Sequence, residues 1–174
     1  EPAPEPEPER DPQLTHITTI DGNITSIGIS GELSQASYID AGIEKTNIVS
    51  VYIGNTVTNI SNIAFEGASA LTSIEIPDSV TRIGEYAISY SGLTSITIPE
   101  GVESIEFAMF YMATSLQTIT FAENSSPTSI GSAAFNGASA LTSIEIPESV
   151  TNIGTYAFYQ AISLTEITFA DNSL

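Results

Sequence analysis

Leu71-Thr72-Ser73-Ile74-Glu75-Ile76-Pro77 is written out a second time, residue for residue, as Leu141-Thr142-Ser143-Ile144-Glu145-Ile146-Pro147. Between the two copies lie Leu93-Thr94-Ser95-Ile96-Thr97-Ile98-Pro99 and Leu116-Gln117-Thr118-Ile119-Thr120-Phe121-Ala122. A divergent copy, Ile48-Val49-Ser50-Val51-Tyr52-Ile53-Gly54, precedes them, and Leu164-Thr165-Glu166-Ile167-Thr168-Phe169-Ala170 follows. The copies start at 48, 71, 93, 116, 141 and 164, at spacings of 23, 22, 23, 25 and 23 residues. A second phrase keeps step with the first: Val57-Thr58-Asn59-Ile60-Ser61, Val80-Thr81-Arg82-Ile83-Gly84 and Val150-Thr151-Asn152-Ile153-Gly154. An apolar column led by aromatics comes next, at Phe65, Ile88, Phe110, Phe135 and Phe158, each behind a small or flexible residue (Ala64, Ala87, Met109, Ala134, Ala157). One such unit cannot bury its apolar side alone, whereas stacked units share a continuous core.

The chemistry of the unit fixes its shape. Ser-Ile-Glu-Ile alternates polar and apolar residues, the period of a strand with one buried face. Pro or Gly stops that strand. Val-Thr-x-Ile-Gly forms a second short extended piece that turns back, and Ala-Phe closes the coil with a bulky plug. The expected fold is a mainly β repeat solenoid of ~23-residue coils, with like residues of successive coils stacked in ladders about 4.8 Å apart.

These units resemble the BspA-type leucine-rich repeat, found in bacterial and protist surface proteins. The resemblance rests on L-T-S-I-x-I-P-x-S-V-T-x-I-G-x-x-A-F and covers residues 48–174, extending faintly over 14–47. It implies a right-handed leucine-rich-repeat superhelix and a role at a cell surface. Family repeats commonly carry Cys after Phe-x-Gly. Here Ala68 and Ala138 stand there, in Phe65-Glu66-Gly67-Ala68 and Phe135-Asn136-Gly137-Ala138, and alanine suits the same small buried slot.

The ends differ from the middle. Residues 1–13, rich in Pro and Glu, read as an extended, solvated spacer, because alternating prolines forbid helix and sheet. Residues 14–47 read as an N-terminal capping region. Ile17-Thr18-Thr19-Ile20 and Ile24-Thr25-Ser26-Ile27 have the strand pattern around a turn at Asp21-Gly22-Asn23. A short helix is expected between Leu33 and Lys45, with Ala36, Ile39 and Ile43 on the covering side. The C-terminus reads as uncovered, with Ile167 and Phe169 on an open edge, so either the native protein continues or another subunit covers this end. The chain begins at Glu1 instead of Met, which reads as a processed or trimmed form whose export signal would lie upstream.

Composition narrows the function classes. The chain has 21 acids against three bases, a formal charge of −18. Beyond the leading tail only Lys45 and Arg82 are basic. Such a surface repels phosphate backbones, so nucleic acid is not an expected partner. No apolar run approaches the ~20 residues of a membrane span, so direct insertion is not expected either. With no cysteine there is no disulfide and no thiolate chemistry. Histidine occurs once, at His16, and no Gly-x-Ser-x-Gly, P-loop or His-Glu-x-x-His motif occurs. Neither an enzyme nor a cofactor is expected.

The candidate sites are ladders. Counting from each leading Leu or Ile, the third and fifth positions point outward on the strand face, which leucine-rich solenoids curve into a concave surface. Beyond Ser50 they are Tyr52, Ser73, Glu75, Ser95, Thr97, Thr118, Thr120, Ser143, Glu145, Glu166 and Thr168. This small, polar, flat face suits hydrogen bonding to a protein loop or a glycan, although Ser and Thr also simply suit exposed strands. The eighth position gives an acidic ladder, Asp78, Glu100, Glu123, Glu148 and Asp171, behind Asn55. Its acids read as solvated edge charges. Ca²⁺, which prefers hard oxygen ligands, is the alternative they would allow, but neither an EF-hand nor a glycine-aspartate nonapeptide loop accompanies them.

The sequence thus points to a non-enzymatic extracellular module, secreted or on a cell surface, that binds a host or cell-surface protein or glycan through the concave face. The alternative is a structural component of a fibre, virion appendage or surface layer, assembled end to end or through the C-terminal edge. Threonine pairs such as Thr118 and Thr120 also suit an ice-binding array, but Tyr52, Glu75, Glu145 and Glu166 interrupt it.

Overall fold

A computed structural model describes residues 10–170; the spacer residues 1–9, Asp171 of the acidic ladder and the last three residues lie outside them. The described chain winds as a mainly β solenoid of about six turns with ~23-residue coils. Each coil has three sides, and each side is stitched to its neighbours differently.

The first side carries the Leu-x-x-Ile-x-Ile phrase. Its strands are β4 (Ile48–Tyr52), β6 (Ser73–Glu75), β8 (Ser95–Ile98), β10 (Thr118–Phe121), β12 (Ser143–Ile146) and β14 (Glu166–Phe169). Parallel pairing puts like over like: Ile74 on Val51, Ile119 on Ile96, Ile167 on Ile144. The alternation read from the sequence is realised in full in β8 and β12, where Ile96, Ile98, Ile144 and Ile146 are buried between exposed neighbours.

The second side carries β5 (Val57–Ile60), β7 (Arg82–Ile83), β9 (Ser104–Ile105), β11 (Ser129–Ile130) and β13 (Asn152–Ile153). Here Ile60, Ile83, Ile105 and Ile130 are wholly buried. The glycine after this strand has a steric cause. A Cβ on Gly84 would come within 2.5 Å of the Asn62 backbone nitrogen, and one on Gly154 within 2.4 Å of the Ser132 nitrogen. Successive coils approach too closely for a side chain at these two places, whereas Ser61 and Glu106 stand after the strand in coils one and three.

The third side is the Ala-Phe turn, a ladder in its own right. The N–H groups of Ile63, Phe65 and Gly67 donate to the carbonyls of Glu85, Ala87 and Ser89 one coil on. The same bonds recur through every turn as far as Phe135 to Ala157 and Gly137 to Tyr159. The residues between them bond three back within the turn, as Glu66 does to Ile63. Alternating the donors in this way requires a left-handed backbone once at the start and once at the end of the turn. The first place is taken by Ile63, Tyr86, Ala108, Ala133 and Tyr156, with φ between 51° and 60°. The second is Gly67 and Gly137 in two coils, but Tyr90, Met112 and Gln160 in the others. Inside the turn the plugs stack: Phe110 on Phe135 at 5.2 Å and Phe135 on Phe158 at 5.4 Å. Ala68 and Ala138 are completely buried, as expected of the small slot.

The cap closes each side with a separate device. A hairpin of β1 (Thr15–Thr19) and β2 (Ile24–Ile27), turning at Asp21-Gly22-Asn23, lays β1 antiparallel along β4. The Thr19 hydroxyl and the Asn23 backbone hold the Asp21 carboxyl below its usual range and tie the turn. Strand β3 (Gly31–Leu33) extends the second side by pairing with β5. Helix α1 (Gln35–Ile39) covers the third side. The expected helix face is corrected here: Ala36 and Ile39 are exposed, and of the three named residues only Ile43, beyond the helix, is buried. The residue that covers the coil is Tyr38. Its ring stacks on Phe65 at 5.9 Å and its hydroxyl donates to the Ala64 carbonyl at 2.8 Å. The pattern reading favoured aliphatic residues and passed over an aromatic that continues the phenylalanine column.

Candidate binding face

The strand side is not one uninterrupted ladder. Its hydrogen bonds join β2, β1, β4 and β6, then β8 with β10, then β12 with β14. The two interruptions fall where the repeat spacing is 22 and 25 residues; each 23-residue spacing keeps its ladder. One residue too few, or two too many, spoils the registry that parallel hydrogen bonds need.

Both interruptions coincide with grooves. A groove of about 480 Å³ lies over β6 and β8 and reaches β10, lined by Ser73, Glu75, Ser95, Thr97, Thr118 and Thr120 with Ile74, Ile76 and Ile96 beneath. A larger one of about 720 Å³ lies between β10 and β12. Its walls include Thr118, Thr120, Ser143 and Glu145, and it runs into the longer connection at Glu123, Asn124, Ser125 and Ser126. Phe121 and Pro147 give it apolar edges.

From Ser73 to Thr168 every outward residue named from the sequence is exposed. Across the face, Thr97 and Thr120 join their hydroxyls at 2.9 Å. Ser50 and Tyr52 are half-buried instead, because β1 runs beside them, pairing Thr18 with Ser50 and His16 with Tyr52. The Arg10 guanidinium sits 5.6 Å above the Tyr52 ring and reaches the Glu75 carboxylate at 3.5 Å. The face therefore already holds one cationic group, by an aromatic ring and a carboxylate together. Sequence reading missed Arg10, which it assigned to the spacer. It also missed the groove walls at Ser125 and Ser126, which belong to a connection that does not repeat, and at Phe121 and Ser149, which are repeat positions outside the ladders it counted.

The acidic ladder lies at one rim. Asp78, Glu100, Glu123 and Glu148 are all exposed. Three of them follow a proline whose carbonyl accepts from the valine three residues on, as Val80 does to Pro77. Among the described residues no three His, Asp or Glu side chains converge as a metal site. His16 is engaged in the cap, with Nδ1 2.8 Å from the Ser26 hydroxyl and Nε2 3.1 Å from the Asp11 carbonyl. Among the described residues no helix is long and apolar enough to cross a membrane.

Stacked coils, a strand ladder on one side and buried Ile, Leu and Phe columns define a leucine-rich-repeat solenoid. The chain belongs to the BspA type leucine rich repeat region family, whose model matches six copies over residues 42–127 and 124–174. A leucine rich cell surface protein from Faecalibacterium prausnitzii is similar over 97% of this chain, at 26% identity and a TM-score of 0.57. The T. pallidum leucine rich repeat protein matches 91% of the chain at 23% identity and a TM-score of 0.66, covering 70% of that protein. The pneumococcal vaccine antigen PcpA matches 87% at 21% identity, also with a TM-score of 0.66. The last two likenesses concern the fold. The chain spans 56% of the Faecalibacterium protein and 37% of the pneumococcal antigen. No curated protein sequence matches it.

Proposed function

We propose that this chain is a non-enzymatic binding or adhesion module of a cell surface, engaging a protein or glycan through its strand face. The observation that carries the reading is the pair of grooves, about 480 and 720 Å³, opening on that face where the ladder is interrupted. Their volumes fall in the ~300–1,000 Å³ range usual for ligand clefts, and both are open troughs along the face. Their walls alternate hydroxyls and carboxylates over isoleucine floors, which suits a partner rich in hydrogen-bonding groups. The F. prausnitzii relative is itself described as a cell surface protein, in keeping with this setting.

Glu75 stands in the smaller groove and Glu145 in the larger, so one pair of substitutions addresses both. Screening the chain against arrayed glycans and surface proteins would identify a partner. The double variant Glu75→Lys/Glu145→Lys is expected to change its affinity by at least tenfold while leaving the melting temperature within a few degrees. Equal affinity of both forms would remove the strand face from consideration.

A further inference from the structure

The turn side carries a feature that the repeat does not call for. In coil four the places in question hold Ser132, Ala133, Asn136 and the buried Gly137. At the corresponding places coils two and three put Tyr86 and Tyr90, then Phe107 and Tyr111. These four rings form one chain of edge-to-face contacts: Phe107 to Tyr86 at 5.3 Å, Tyr86 to Tyr111 at 6.3 Å, Tyr111 to Tyr90 at 5.5 Å. Tyr90 is 46% exposed and Phe107 39%. The ladder bonds Tyr86 to Phe107 and Tyr90 to Tyr111 fix their backbones.

Tyr86 and Tyr90 take, with φ of 54° and 53°, the left-handed backbone that these two places of the turn adopt in every coil, so the rings are carried by the ordinary frame of the repeat. Three acids lie near these rings in the chain or in space: Glu85 and Glu106 directly precede Tyr86 and Phe107, Glu106 accepting from the Ser104 hydroxyl at 2.8 Å, and Glu66 acts electrostatically on Tyr90. Of the body's two cations, Lys45 stands beside Gly67, one coil away, and Arg82, in coil two itself, donates to the Asn62 side-chain oxygen at 3.1 Å, which also accepts from the Glu85 N–H.

We propose that Tyr86, Tyr90, Phe107 and Tyr111 form a second interaction surface, which docks a basic peptide segment by seating arginine or lysine side chains on the rings beside Glu66, Glu85 and Glu106. The chemistry is charge complementarity: ring faces are negative, the nearby acids are negative, and the whole chain carries −18. The chain displays the same recognition once internally, where Arg10 lies over Tyr52 and reaches Glu75. This surface lies on a different side of the coil from the strand face and goes beyond the function proposed there.

Hexa-arginine is the probe. The chain has seven tyrosines and no tryptophan, so tyrosine fluorescence reports binding directly, with calorimetry alongside. The variant Tyr86→Ala/Tyr90→Gly/Phe107→Ser/Tyr111→Asn installs the residues of coil four and leaves the net charge unchanged. Its affinity for hexa-arginine is expected to fall at least tenfold, at a charge that keeps unspecific attraction constant. Tyr90→Gly alone relieves backbone strain and so folds; it is expected to weaken binding about threefold, and it decides the matter should the fourfold variant unfold. Affinities independent of the rings would overturn the proposal. So would ring-dependent binding of chitohexaose with none of hexa-arginine, which would mark a glycan surface. Because no strand-face residue changes, failure here leaves the strand-face reading standing, and the reverse also holds.

Discussion

Ser91 occupies the slot that Ala68, Ala113 and Ala138 fill in coils one, three and four, and all four residues are buried. Its hydroxyl lies out of contact with solvent and has no hydrogen-bond partner. A buried hydroxyl left unpaired costs about 1–3 kcal/mol, because it gives up water and gains nothing in return. Ser91→Ala removes that penalty, opens a void of only one oxygen and restores the residue the other coils use. The variant is expected to be more stable by about 1 kcal/mol, read as a higher denaturant midpoint at an unchanged m-value. A lower midpoint would mean that the hydroxyl has a partner in solution. The Ser-for-Ala exchange is plain in the sequence but its consequence is not, since an unpaired atom is a property of three-dimensional neighbours.

At the scale of elements, helix α1 ends the phenylalanine column with a phenol. Burial pushes the Tyr38 hydroxyl up to about 12. The unfolded chain gives up this proton near its ordinary value of about 10, whereas the folded chain keeps it. The contribution is therefore complete below pH ~10 and is lost as pH climbs from there through about 12. Tyr38→Phe leaves the Ala64 carbonyl unpaired and is expected to lower stability at neutral pH by ~1–3 kcal/mol. Its melting temperature should also fall less steeply between about pH 10 and 12 than that of the parent chain; parallel slopes would show that Tyr38 does not set the alkaline limit. The cap also shows how far pattern reading reaches. The hairpin is legible, because Asp-Gly-Asn between two alternating runs is a local signal. The buried side of α1 is not, because a five-residue helix has too few turns to display a stripe and its one large contact lies 27 residues away at Phe65.

For the molecule as a whole, the repeat by itself makes the core legible: Phe65, Phe110 and Phe135, which share one place in the unit, are wholly buried and lie in a single column. The irregular spacings, 22 and 25, are equally visible in the sequence. Their effect, interruption of the strand ladder and two grooves, follows only once adjacent coils are laid in register. A solenoid is also nearly one-dimensional: each coil is held by its two neighbours, so stability should vary along the stack. Coils two to four have neighbours on both sides, and Ile96 and Ile119 are only 4% and 6% exposed. Cover thins towards the last described coil: Ile153 of coil five is 41% exposed, and Ile167 and Phe169 of the coil that begins at Leu164 are 43% and 63% exposed. The cap holds the opposite end through a hairpin, a strand and a helix. Amide exchange in this 174-residue chain is therefore expected to be slowest from β6 to β10, and to quicken over β12 until β14 exchanges at least tenfold faster than β8. Ser91→Ala, placed in the protected middle, should slow exchange in β6 and β8 more than in β14. Uniform protection from β4 to β14 would show instead that the coils open only together, because coupling between neighbours then outweighs every local difference in burial.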